Sequence, residues 1–437
     1  MSTTPIHARD LTTTQRRAGF VIIAILFGIF GAISWVNATL IPFFKDGFGL
    51  THFKSYWVPA AFYSAYLVFS MPAAHLLKRT GFKQGMRIGF WVMAAGAFLF
   101  IPAALTRTYG IFLGGLFTLG TGLAILQTAA NPYITILGPK ESAARRIGIM
   151  GICNKGAGIL ATLALGSFII RPSDAQLHAS LALMGEAERT LILDGLFQRV
   201  VLPYAVVGGA LFIFGLLVRH SPLPEIDTEH ETAEVAESNA DKTGILQFPQ
   251  LILGAVGIFL HVGASVIAVD TISSYAKELG VTPDKANSFP SYTLTAMIIG
   301  YIMGILLIPR YVSQVTALRF CTILGALLSI LVVTVSFPVS MLGHTADISL
   351  WFVVLLGFAN SLTWAGIWPL ALDGLGRFTK VGASVMIMGL FGNAVFPPAY
   401  GWLADHYHSV RSAYWIILPC YLYLTYYAMV GHKKRSW

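Results

Sequence analysis

The sequence predicts an all-α membrane protein that crosses the bilayer with twelve helices. Of its 437 residues, 56% are hydrophobic and only 11% are charged, whereas soluble proteins carry about 25% charged residues. The apolar residues form long continuous runs, unlike the alternating segments of about ten residues in a β-barrel. Composition and run length therefore exclude both a soluble protein and an outer-membrane barrel.

Each apolar span has the roughly 20 residues that a hydrocarbon core of about 30 Å requires. The first 18 residues are polar and basic, and the apolar run after them is too long for a cleaved signal peptide. The first span is therefore expected to remain in the membrane. The twelve spans lie near 19–43, 56–77, 86–105, 109–137, 147–170, 199–218, 249–274, 288–308, 315–336, 349–372, 381–404 and 411–432.

Basic residues set the predicted orientation of the spans. With a cytoplasmic N-terminus, the inside segments hold 19 of the 29 Lys and Arg residues and the outside segments hold 9, while Lys155 lies within a span. The positive-inside rule therefore places both termini in the cytoplasm. The net charge of +9 follows from this bias, so no nucleic-acid partner is expected.

Two connections between spans are unusually long. Residues 219–248 are polar and acidic without apolar periodicity, which predicts a flexible cytoplasmic linker. This linker divides the chain into an N-terminal six-helix bundle, 1–218, and a C-terminal six-helix bundle, 249–437. Residues 171–198 face outside and are expected to form at most a short amphipathic helix.

An internal repeat relates the two predicted bundles. Spans 4 and 5 resemble spans 10 and 11, because Gln127 and Pro132 have the same spacing as Trp364 and Pro369, and the triplet IMG follows both loops. Two parallel halves of six spans are the plan of the major facilitator fold. Its halves are related by a pseudo-twofold axis, and it predicts alternating access to a central site.

Polar and aromatic side chains inside the spans are the candidates for binding a solute. Amides pair with the hydroxyl groups of a neutral sugar, and an aromatic face stacks on its C–H surface. For any one amide, the alternative is a hydrogen bond between helices. The candidates are Asn37, Gln127, Asn131, Asn154, Tyr292, Asn360, Trp364 and Asn393.

The candidates for coupling or gating are four titratable residues: Lys155, Asp270, Asp373 and His261. Lys155 is well inside span 5, where it is a candidate to bind sugar oxygens, attract an anion, replace a coupling ion or pair with Asp373; the alternative is a snorkelling lysine. Asp270, in the outer third of span 7, is a candidate to bind sugar, a cation or a proton; the alternative is an interfacial carboxylate. His261 titrates near neutral pH, with a structural histidine as its alternative.

No enzymatic motif occurs in the sequence. GxSxG, HExxH and Walker patterns are absent, so neither an enzyme nor an ATP-driven pump is expected. The cysteines Cys153, Cys321 and Cys420 lie inside apolar spans. We therefore expect small buried hydrophobes and no metal site, disulfide or cofactor.

Six motifs spread over the chain carry a resemblance to a known family. In the order given below, the first three motifs resemble the fucose–galactose–glucose branch of the major facilitator superfamily. The other three resemble the glucose/galactose and N-acetylglucosamine carriers within that branch. The motifs are Asn37 with LIP (40–42), LQTAANPY (126–133), LDGLGRFTK (372–380), GICNK (151–155), VIAVDTI (266–272) and SYTLTAMIIGY (291–301).

The sequence departs from this resemblance at acidic positions. Ala38 stands where the fucose carrier has an Asp, Gln127 where it has a Glu, and Ser265 where related carriers have an acid. The resemblance therefore implies sugar contact without the fucose-type proton machinery. Asp270 is the best remaining acid for proton coupling, and sodium coupling and uniport are the alternatives.

These observations predict a monomeric transporter in the bacterial inner membrane, with a small sugar and the lipid bilayer as its partners. The expected cargo is a hexose or N-acetylhexosamine, namely glucose, galactose or N-acetylglucosamine. One alternative is an exporter of drug-like or anionic metabolites, which Lys155 makes worth testing. Another is a nontransporting membrane sensor, although the linker is too short for a signalling domain.

Overall fold

The computed structural model describes residues 11–48, 50, 57–169, 185–221, 223, 233–286 and 288–437. The chain divides into two compact units. The first contains Thr12–Ala130 and Cys153–Ile226, and the second contains Asn131–Ile152 and Asp227–Trp437. The division into bundles 1–218 and 249–437 stays a prediction, because the ends of two helices, Asn131–Ile152, group with the second unit.

Within its described residues, the first unit has five long helices, of which the third and fourth extend into the stretch that groups with the second unit. Gly81 adopts φ 78° within the second helix, a left-handed conformation that glycine adopts without a Cβ penalty. That kink separates two membrane spans. The helices are α1 (Thr13–Gly47), α2 (Trp57–Thr106), α3 (Tyr109–Ile136), α4 (Ala143–Ile169) and α5 (Glu186–His220).

The second unit contains eleven further helices and one hairpin among the described residues. Its longest helix, Ile348–Leu372, is mostly buried. The elements are α6 (Ala233–Ser238), α7 (Pro249–Asp270), α8 (Ile272–Glu278), α9 (Pro283–Ala286), α10 (Phe289–Leu307), α11 (Gln314–Thr334), β1 (Pro338–Met341), β2 (His344–Asp347), α12 (Ile348–Leu372), α13 (Thr379–Met388), α14 (Gly392–Tyr407), α15 (Val410–Ala413) and α16 (Ile417–Met429). Short 3₁₀ turns join several of them.

The helices confirm the predicted membrane-spanning fold. Ten helical stretches among the described residues are long and apolar enough to cross a membrane. One of them, Trp57–Thr106, covers predicted spans 2 and 3, and α4 covers the fifth predicted span. Part of the outside connection, 170–184, lies outside the described residues, while α5 already begins at Glu186.

The later part of the predicted linker belongs to the second unit and is bonded to it. Residues 222 and 224–232 lie outside the described part, but α6 and a 3₁₀ turn follow. Asn239 is buried, and its Nδ2 donates a hydrogen bond to the Gly374 carbonyl oxygen at 3.0 Å. Arg377 donates to the Lys242 carbonyl oxygen at 2.9 Å. Side-chain to backbone bonds thus hold a segment that has no apolar periodicity.

Candidate substrate-binding site

In the first unit, Gln127 of α3 faces Tyr66 of α2. Gln127 Nε2 donates a hydrogen bond to the Tyr66 hydroxyl oxygen at 3.1 Å. The Tyr66 ring stacks on that of Tyr63, with centroids 5.9 Å apart and planes at 27°. Gln127 is half-buried, and an amide has two donors and an acceptor. This group can therefore offer hydrogen bonds beside an aromatic surface.

Sequence reasoning selected Gln127 but missed both tyrosines. Tyr63 and Tyr66 lie three residues apart in an apolar span, so they share one face of the helix. That spacing was the available signal. Aromatic residues are common in membrane helices as packing groups, and only the contact with Gln127 distinguishes this pair.

Asn154 and Lys155 follow each other in α4. Asn154 Nδ2 donates a hydrogen bond to the Phe27 carbonyl oxygen of α1 at 3.2 Å. A Cβ atom added at Gly31 would lie 1.8 Å from the Asn154 carbonyl oxygen, so the two helix backbones meet closely here. Asn154 therefore makes a helix–helix hydrogen bond, which was the alternative to a sugar contact. Lys155 is half-buried and lies near the middle of α4.

For two other candidates of the N-terminal spans, the structure gives a position in a helix but does not define a binding role. Asn131 of α3 is only 2% exposed. Asn37 lies in α1, but its side chain falls outside the described residues. The sugar-binding role of both remains a prediction.

In the second unit, Asn360 of α12 is bonded to the last helix. The Tyr421 hydroxyl of α16 donates to Asn360 Oδ1 at 2.9 Å. Asn360 is 1% exposed, and its Nδ2 has no hydrogen-bond partner among the described residues. The contact corresponds to the helix–helix alternative for this amide.

Trp364 and Asn393 are the more accessible candidates of the second unit. Trp364 is half-buried, and its ring packs on Trp368 with centroids 5.6 Å apart and planes at 45°. Trp368 is fully buried, so it supports the ring of Trp364 from the interior. Asn393, half-buried, follows the first residue of α14.

Tyr292 lies in an aromatic cluster beside the hairpin. Its hydroxyl is 3.0 Å from His344 Nε2 of β2. The rings of Phe289 and Trp351 are within 6.0 Å of Tyr292. The structure therefore ties Tyr292 to a connection outside the predicted spans, a neighbour that sequence reasoning did not identify.

The titratable candidates of the second unit have different surroundings. Asp270 is the last residue of α7, and its side chain is exposed. His261, in the same helix, is buried. Asp373 follows α12 and forms ion pairs with Lys140 and Arg435, both at 2.9 Å. All three side chains of that network are more than a third exposed, so each pair contributes at most about 1 kcal/mol.

Among the described residues, no group of three His, Cys, Asp or Glu side chains could hold a metal ion. Cys321 and Cys420 are buried and Cys153 is half-buried, and all three are free thiols. The candidate binding groups are thus neutral amides, tyrosines and tryptophans, with Lys155 as the charged exception.

Comparisons with known proteins agree with this reading of the fold. The sequence profile of the Major Facilitator Superfamily matches residues 22–397. The chain is 31% identical to a glucose/galactose transporter of Brucella abortus, with 98% of each chain covered. It is 27% identical to the L-fucose-proton symporter of Escherichia coli, again with 98% of each covered. A putative glucose/galactose transporter of Helicobacter pylori is 28% identical, over 94% of this chain and 96% of the relative.

Solved structures give the same fold. The major facilitator transporter FucP in the outward conformation matches with a TM-score of 0.78 and 25% identity, covering 94% of this chain and 97% of FucP. The proton:xylose symporter XylE, bound to 6-bromo-6-deoxy-D-glucose, matches with a TM-score of 0.62 and 15% identity, covering 95% and 96% of the two chains. The latter likeness concerns the fold alone.

The relatives are transporters and not enzymes, and their names specify no cofactor. The motif resemblance, the membrane-spanning helices and the full-length similarity agree. The chain therefore belongs to the major facilitator superfamily and, within it, to the fucose–galactose–glucose branch of transporters.

Proposed function

We propose that this chain is a secondary-active importer of a neutral hexose. Glucose and galactose are the first candidates, because the relatives that carry those names align over almost the whole chain. N-acetylglucosamine is the next candidate, on the motif resemblance alone. The observation that carries the proposal is the Gln127–Tyr66 pair with Tyr63 stacked beside it.

The pair has the chemistry that sugar recognition needs. Gln127 donates a hydrogen bond to Tyr66, and a carboxamide can act as both donor and acceptor toward the hydroxyl groups of a sugar. A protein that hydrogen-bonds a sugar hydroxyl discriminates strongly against analogues that lack it, because its own polar groups would be left unpaired. Trp364 in the second unit supplies a supported aromatic face for the C–H surface of a hexose.

The coupling ion is a separate part of the proposal. A relative is named a proton symporter, but Gln127 is neutral where the fucose carrier has a Glu. Asp270 is exposed at the C-terminal end of α7, where an acid can meet either a proton or a sodium ion. We therefore keep proton coupling through Asp270, sodium coupling and uniport as the three arms of one experiment.

The location proposed for the chain is the bacterial inner membrane. The excess of basic residues in one set of loops supports cytoplasmic termini. We propose a monomer that works by alternating access.

Uptake by proteoliposomes tests the function. Purified chain should take up labelled glucose or galactose, and unlabelled hexose on the opposite side should drive exchange. Accumulation with an imposed proton or sodium gradient identifies coupling, and equilibration alone identifies uniport. Asp270→Asn should abolish proton-driven accumulation while exchange persists if Asp270 couples. Folded protein without hexose uptake or exchange would contradict the proposal.

Lys155 favours a second candidate function, transport of an anion. Lys155 is a half-buried cation inside a membrane helix, and charged side chains in such helices often mark a substrate or ion pathway. The same proteoliposomes should be offered a hexose phosphate and a sugar acid. If these anions inhibit uptake of labelled hexose more strongly than the neutral hexose does, and Lys155→Met removes that inhibition, the anion replaces the neutral hexose as the proposed substrate.

A further inference from the structure

The kinked helix α2 carries basic and aromatic residues just after its kink at Gly81, where it packs on the last turns of α5. Lys83 Nζ donates a hydrogen bond to the Ser221 carbonyl oxygen at 2.6 Å. About two turns after Lys83, Trp91 lies against Gly215, where an added Cβ would be 2.6 Å from the indole. These two contacts fix the register between the helices.

The register brings two arginines to the same level. Arg87 precedes Trp91 by four residues in α2, and Arg219 follows Gly215 by four residues in α5. Four residues make about one helical turn on the same face. Arg87 and Arg219 therefore lie between the Lys83 and Trp91 contacts. We name Lys83, Arg87, Trp91 and Arg219 the basic–aromatic cluster.

The charge of Arg87 lacks a counter-ion within these helices. Its guanidinium carbon lies 4.7 Å from the centre of the Trp91 ring, and its Nε is buried without a hydrogen-bond partner among the described residues. The 50 residues of α2 contain no Asp or Glu. The last acid of α5, Asp194, is paired with Arg107 at 3.0 Å. A partly desolvated cation of this kind is stabilised by a nearby anion.

The surface beside the cluster is apolar. Trp91 stacks on Phe212 with centroids 5.8 Å apart. Several large hydrophobic side chains on α5 are exposed, as expected for a helix that faces lipid: Phe212, Ile213, Leu216 and Leu217. An indole at the boundary between cations and apolar residues is typical of a membrane interface.

We propose that the basic–aromatic cluster binds the headgroup of an anionic phospholipid. The phosphate would pair with Arg87 and Arg219, and the acyl chains would cover the apolar face of α5. Charge complementarity selects an anionic headgroup, and the adjoining apolar surface selects a lipid over free phosphate. The site lies wholly in the first unit and is separate from Gln127 and its neighbours.

Native mass spectrometry of the full chain in a nonionic detergent tests this site. Equal amounts of phosphatidylglycerol and phosphatidylcholine are added, and the lipid that remains bound is counted. We expect phosphatidylglycerol to be retained preferentially. Each of Arg87→Gln and Arg219→Gln should lower its retention about fivefold, which corresponds to about 1 kcal/mol for one basic residue at an anionic surface. Excess inorganic phosphate should not displace it.

Arg310→Gln is the matched control, because Arg310 in the second unit also lies beside an aromatic ring. Arg310 is exposed, and its guanidinium carbon is 5.2 Å from the centre of the Tyr311 ring. It should leave retention unchanged. Arg87→Lys keeps the charge, and should retain part of the preference if Arg87→Gln folds poorly. Equal retention of both lipids, or an equal loss in Arg310→Gln, would overturn the proposal.

A further arm tests occupancy by the acidic linker instead of a lipid. If phosphatidylglycerol binds only after the linker acids are neutralised, the linker is the occupant and the proposal is wrong. Unchanged retention in that variant supports the lipid. The acids to be replaced by amides are Glu225, Asp227, Glu229 and Glu231.

Discussion

Arg146 is a structural residue at the junction of α3 and α4. It is 9% exposed, and its guanidinium donates hydrogen bonds to the carbonyl oxygens of Ile134, Thr135 and Pro139. The acceptors lie at or just beyond the C-terminus of α3, where carbonyl groups lack partners within the helix. A cation at this end is also favoured by the helix dipole. In the sequence, Arg146 is visible only as one basic residue of an inside loop.

Removing the Arg146 guanidinium should destabilise the protein. Arg146→Met leaves the buried carbonyls without donors, so we expect the free energy of unfolding to fall by about 3 kcal/mol. Denaturant unfolding in detergent, followed by tryptophan fluorescence, measures the change. The control is Arg145→Met, because its neighbour Arg145 is exposed. Equal stability of the two variants would contradict the role given to Arg146.

At the scale of elements, the hairpin between α11 and α12 is the clearest feature that the sequence did not predict. Its strands have four residues each, joined at Leu342 and Gly343, which adopt φ 50° and 77°. Two positive φ values are typical of a type I′ turn, but Leu-Gly is not among the dipeptides that signal it. The long helices, in contrast, were predictable because apolar length alone defines them.

The hairpin ends on Asp347, which caps the N-terminus of α12. Asp347 Oδ1 accepts a hydrogen bond from the Ser349 backbone N–H at 2.8 Å. Burial raises the pKa of this carboxyl, but hydrogen bonds from Ser336 and Ser349 and the charge of Arg411 outweigh it, so the pKa lies below its ordinary value. The carboxylate therefore stabilises the folded state above its unfolded pKa, near 4, and this contribution is lost as pH falls through the lowered folded pKa.

Asp347→Ala should lower stability by about 1 kcal/mol at neutral pH, the usual effect of losing a helix cap. Apparent melting temperatures of wild type and variant should converge as the pH falls below the ordinary pKa of Asp. Asp241→Ala serves as the control, since Asp241 is an exposed acid of the linker segment. A difference between wild type and Asp347→Ala that grows toward acidic pH would refute this assignment.

At the scale of the whole molecule, apolar span length, the internal repeat and the motifs were sufficient to predict the fold and the family. They were not sufficient to define the site. Gln127 was predictable as a polar group in hydrocarbon, but its partner Tyr66 and the stacked Tyr63 depend on how α2 and α3 pack. Asn360 looked equivalent to Gln127 in sequence, yet Tyr421 occupies its oxygen. Both amides bond to a tyrosine of another helix, and their burial distinguishes them: Gln127 is half-buried, whereas Asn360 is 1% exposed.

The central claim is that the Gln127 amide recognises a neutral hexose, and equilibrium binding to the purified chain tests it most directly. Titration calorimetry with glucose and galactose should show binding to wild type. Gln127→Ala should weaken it at least tenfold, about 1.4 kcal/mol, whereas Gln247→Ala, which removes an exposed amide of the linker segment, should leave it unchanged. Wild-type affinity for both hexoses in folded Gln127→Ala would contradict the claim.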